Sequence, residues 1–70
     1  MRNEFSRQLN LLNREMTEMG NMCKTAIEQA MEALFAGDMN SAKNVILVEE
    51  QIDQKEKDIE SLCMKLLLRQ

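Results

Sequence analysis

One dipeptide, Gly37-Asp38, is the only interruption between two long segments of helical periodicity. Glycine suits the left-handed position that follows a helix, and aspartate caps the first free amides of the next one. A chain built this way runs out, turns once and comes back. The residues on either side agree. Proline is absent, Phe5 and Phe35 are the only aromatics, and Leu, Met, Ala, Glu, Lys and Gln dominate; these form helices well and strands poorly. The expected fold is all-α, an antiparallel two-helix hairpin with helix 1 over about 4–36, a turn at 37–38 and helix 2 over about 39–69. Each helix would be roughly 45 Å long.

In the first helix apolar residues recur from Phe5 at Leu9, Leu12, Met16, Met19, Cys23, Ala26, Ala30 and Ala33, alternating by fours and threes. This is the seam expected to face helix 2. Leu11, Met22, Ile27, Met31 and Leu34 widen it beyond what a two-stranded coiled coil uses, so helix 1 is expected to touch more than one neighbour. Gly20, inside the helix, is compatible with a close helix approach or with simple tolerance. The apolar side of helix 2 is read as Ala42, Val45, Ile46, Ile52, Ile59, Leu62, Cys63, Leu66 and Leu67.

The unusual stretch is Val48 to Cys63. Glu49, Asp53, Glu56 and Glu60 fall at i, i+4, i+7 and i+11, one longitudinal stripe on a helix. Glu49 and Glu56 share a heptad register with the seam Val45, Ile52, Ile59 and Leu66, which predicts acid where core is expected. A carboxylate in a packed seam needs a partner. Three readings are open: a solvated face with Lys55, Lys57 and Lys65 as helical ion-pair partners; seam acids met by Lys24, Arg14 or a base from another helix; or a cation chelated by Glu49 and Asp53 with carboxylates of a facing helix. Oxygen-only ligands favour iron(III), manganese or another hard divalent or trivalent cation, and the absence of histidine disfavours structural zinc.

Other functions find little support. Twelve acids against nine bases, without a basic stripe, disfavour nucleic-acid binding. No apolar run is long enough to insert in a membrane and no leader pattern is present, so a cytoplasmic protein is expected. Cys23 and Cys63 would sit roughly 16 Å apart in one hairpin, too far for a disulfide. Histidine and tyrosine are missing, as are a phosphate loop and any nucleophile motif, so a non-enzyme is expected.

The opening Met-Arg-Asn-x-Phe-x-x-x-Leu-x-x-Leu, Glu18-Met19-Gly20, Ala26-Ile27-Glu28-x-Ala30 and the Gly37-Asp38 turn, followed by Ile52-Asp53-x-x-Glu56-x-x-Ile59-Glu60-x-x-Cys63-x-x-Leu66-Leu67, together resemble the start of PhoU, a family of bacterial phosphate-signalling regulators. The resemblance implies a fragment comprising the first two helices of the first of two three-helix bundles. It also implies that Glu49 and Asp53 match a metal-binding Glu/Asp-x-x-x-Asp motif. It further implies a cytoplasmic adaptor that contacts the ATPase of a phosphate transporter and a sensor histidine kinase. The rival expectation is a structural hairpin module docking a partner helix on Met16, Met19, Met22 and Met31. The wide apolar flank and the uncapped Leu66-Leu67-Leu68 end lead us to expect self-association into a four-helix bundle, one that Ile52→Asp would abolish.

Overall fold

The computed structural model describes residues 2–68, with only the backbone of Arg2. It holds two α-helices, α1 (Arg2–Ala36) and α2 (Met39–Leu68), packed antiparallel as a rod 54 × 14 × 11 Å. The all-α hairpin is as expected. The helix 1 boundary lies two residues earlier than expected, and the Arg69 end expected for helix 2 falls outside the described residues.

The turn is built as its residues require. Gly37 has a φ of 65°, in the left-handed region that a side chain disfavours. Its N–H and that of Asp38 both donate to the Ala33 carbonyl, at 2.8 and 3.2 Å, which closes the end of α1. The Asp38 carboxylate then accepts from the Asn40 amide and from the Ser41 hydroxyl, each at 2.9 Å, and its own carbonyl receives the first bond of α2. Its carboxyl is held below the usual range, first by the Ser41 hydroxyl and then by the Asn40 and Ser41 amides.

This turn decides which face of α1 is covered. Ala33 is buried, and stepping back from it by alternate fours and threes gives Gln29, Ala26, Met22, Met19, Glu15, Leu12, Gln8 and Phe5, all buried or half-buried. These form the inner seam. In α2 the matching set is Val45, Val48, Ile52, Lys55, Ile59, Leu62 and Leu66. The seam expected from the sequence is therefore half right. Phe5, Leu12, Met19, Ala26 and Ala33 face α2, but Leu9, Met16 and Ala30 are exposed and the polar Gln8, Glu15 and Gln29 take their places. Met19 and Met22 belong to the same inner seam, so the expected methionine flank does not exist as one surface. Ile52 also lies in the seam, so a charge there would break the hairpin itself.

Among the described residues no side chain is completely buried, and Ala33 and Leu66 are the only buried apolar ones. At roughly 25 cal/mol per Å² of apolar area removed from water, so thin a core gives two helices little to hold them together.

Candidate functional site

The two long sides of the rod differ. On one, Leu11 and Glu15 of α1 border Asp58, Ser61, Leu62 and Lys65 of α2, a largely polar strip. On the other, Leu9 and Leu12 share a shallow hollow with Cys63, Leu66 and Leu67, and near the turn Ala30 and Leu34 share another with Met39 and Val45. Between these hollows α1 presents Met16, Gly20, Cys23 and Ile27, which continue the same stripe. This open side carries a second, outer seam on α1 that is more apolar than the inner one. Ile27 is 62% exposed and Leu34 79%.

The acidic stripe borders the same side. Glu49, Glu56 and Cys63 repeat every seven residues, so they share a flank, and Cys63 lines the hollow beside Leu9. Glu49, Asp53, Glu56 and Glu60 are all exposed. The expectation of acid within the core is thus overturned: the stripe sits one step outside the α1–α2 contact, because Val48, Lys55 and Leu62 occupy the seam positions. Neither Glu49 nor Asp53 enters an ion pair or a side-chain hydrogen bond among the described residues.

As cation ligands these two carboxylates fit in chemistry and are incomplete in number. They stand one helical turn apart, offer hard oxygen donors and are free of competing cations. A hard cation takes six or more oxygens, so most of its shell would come from other groups. Among the described residues no three His, Cys, Asp or Glu side chains are brought together for a metal. Cys23 and Cys63 are free and half-exposed.

The residue that sequence reasoning missed is Lys55. Read as a neighbour of solvated acids on its own helix, it instead crosses the seam, with Nζ 3.1 Å from Glu15 Oε1 and 2.7 Å from Glu18 Oε2. Only 18% of its side chain is exposed. Glu18 is held below the usual carboxylate range, chiefly by the hydrogen bond from Lys55, and Lys55 is held above the usual ammonium range by Glu18 and then Glu15. The seven-residue spacing of Val48, Lys55 and Leu62 was the available signal.

A thin core, one polar side and one open apolar side edged by carboxylates define an all-α helical-hairpin module. Among the described residues no helix is long and apolar enough to cross a membrane. The PhoU domain family matches residues 16–70, and the chain belongs to that family. It is 30% identical over 66 residues to the phosphate-specific transport system accessory protein PhoU homolog of Pseudomonas putida, covering 94% of this chain and 26% of that protein. The protein of the same name from Clostridium acetobutylicum is 35% identical over 66 residues, covering 94% and 30%. The chain therefore spans less than a third of the length of these relatives. No solved structure gives a significant match.

Proposed function

We propose that the chain supplies the first helical hairpin of a PhoU-type regulator of phosphate uptake and phosphate-starvation signalling, a cytoplasmic, non-enzymatic adaptor acting by protein contact. The observation that carries this reading is the family match over residues 16–70, taken with the name that the relatives share, an accessory protein of phosphate-specific transport. The partners in this reading are those that the family resemblance implies: the ATPase of the phosphate transporter and a sensor histidine kinase.

In the same reading Glu49 and Asp53 supply part of a site for iron or another hard cation. Their support is local: paired spacing, exposure on the open side and no competing partner. A bound cation would neutralise the stripe and let another acidic helix pack beside it.

The test uses the complete gene in a bacterium whose own PhoU-type gene has been removed. Restored repression of a phosphate-starvation reporter in phosphate-rich medium is expected, and a reporter that stays fully on with the protein present at normal level would overturn the regulatory reading.

A further inference from the structure

We infer that the end of α1 nearest the turn carries a docking stripe, Glu28, Met31, Glu32 and Phe35, for a basic amphipathic segment of a partner protein. The four residues fall at i, i+3, i+4 and i+7, so two carboxylates and two apolar side chains share one face over two turns. All four are exposed, Phe35 at 82% and Met31 at 52%. The inference deepens the adaptor reading by naming the surface through which one contact is made.

The direction of the stripe separates it from both faces already described. At 100° per residue, Phe35 lies about 200° round α1 from the buried Ala33, which faces α2. Leu34, at the end of the outer seam, lies only about 100° round. A helix laid along the open side would therefore leave Met31 and Phe35 outside. Farther back on the same outward face stand Lys24, Asn21, Thr17 and Asn10, all exposed and polar. Apolar side chains appear on this face only where the two glutamates frame them, and one of them is among the two aromatic residues of the chain.

Charge decides what the stripe takes. From Thr25 to Ala42 the chain has three acids, Glu28, Glu32 and Asp38, and no base. Asp38 is engaged with Asn40 and Ser41, whereas Glu28 and Glu32 enter no ion pair or side-chain hydrogen bond among the described residues. They are like charges one turn apart, an arrangement that opposes the helix until a cation meets it. The last turn of α1 has no basic residue either, so the negative end of the helix dipole is unopposed at the same place. An arginine or lysine laid here answers both deficits, and an arginine also rests on the Phe35 ring. A leucine on the same partner face covers Met31. So small a patch gives a transient contact of the kind that signalling proteins make.

The experiment titrates the complete protein into a fluorescently labelled helical peptide with leucine and arginine on one face, read by anisotropy at about 0.02 M and about 0.5 M salt. Saturable binding that weakens at the higher salt is expected. Phe35→Ser should weaken it roughly tenfold, as loss of an aromatic anchor does, with helicity unchanged because the residue is exposed. Glu28→Gln with Glu32→Gln should remove most of the salt dependence. Leu47→Ser, at an apolar residue likewise exposed but on the stripe of Asp58 and Lys65 in α2, should change nothing. Binding by Phe35→Ser equal to that of the parent would overturn the proposal. No binding by the complete protein would also overturn it and give the stripe to the remainder of its own chain. Phe35-dependent binding to phosphatidylcholine vesicles in place of the peptide would overturn it in favour of a lipid surface. The reporter test above is scored apart: repression without peptide binding sinks the docking stripe alone, and peptide binding without repression sinks the regulatory reading alone.

Discussion

Lys55 Nζ, in the middle of α2, lies 2.7 Å from Glu18 Oε2 on α1, and the same nitrogen reaches Glu15 Oε1 at 3.1 Å. This is the one cross-helix ion-pair cluster among the described residues, and it occupies a seam position that an apolar residue would otherwise fill. It ties the two helices at one level, since sliding α2 by a turn would carry the ammonium about 5.4 Å from both carboxylates.

The pH dependence follows from the two displaced groups. Glu18 titrates below its ordinary value of about 4.3, so its contribution is present above that pH and fades as pH falls through the lowered value. Lys55 titrates above its ordinary value of about 10.4, so its contribution is complete below that pH and fades as pH rises through the raised value. Thermal melts followed by circular dichroism should therefore show a plateau between about pH 5 and pH 10. Lys55→Met should flatten the alkaline loss; a variant that keeps the whole of it would show that another group is responsible.

Gly37→Ala should destabilise the hairpin by about 1–2 kcal/mol, the cost of a Cβ in the left-handed region. In a domain of this size that lowers the melting temperature by roughly 4–15 °C at fixed protein concentration. No shift would mean that the turn relaxes out of the observed conformation.

Gly20→Ala should act in the opposite sense on the single hairpin. Nothing stands where the Cβ would go, so the substitution gains about 0.5–1 kcal/mol from helix propensity. Helicity measured by far-UV circular dichroism checks this; a loss of helicity would reveal an unrecognised contact at Gly20.

Changing Glu49 and Asp53 together to alanine should leave helicity intact and abolish cation uptake by the complete protein. Calorimetric titration with manganese(II) reads the second effect directly. Equal binding by the variant would remove these two residues from the ligand set.

The hairpin was legible in the sequence because its signals are local: Gly37-Asp38 specifies a turn whatever surrounds it, and the apolar periodicity of both segments needs a helix. The facing was not legible. Residues 9–16–23–30 read as a better seam than 8–15–22–29, since leucine, methionine and alanine outrank glutamine and glutamate as core. The turn overrules that ranking, because the tight closure on the Ala33 carbonyl leaves α2 only one face of α1 to lie against. The same displacement explains the acids. Glu49 and Glu56 read as seam residues only if α2 is rotated by one position, and with Lys55 in the seam they move to its edge. The pairing of Lys55 with Glu15 and Glu18 depends on two segments separated by some 40 positions coming to one level, which no local pattern states.

The Gly37-Asp38 connection does more than reverse the chain. Each added residue in a helix advances its direction by about 100°. One extra residue at the junction, helically absorbed into the end of α1, would swing the departing α2 round to the outer seam, so that Leu9, Met16 and Ala30 became interior and Gln8, Glu15 and Gln29 went to water. A single codon would exchange which of the two seams lies inside the hairpin and which faces out. In that sense two residues at one end of a rod ration how much of its own apolar surface the chain keeps for itself and how much it holds out to others.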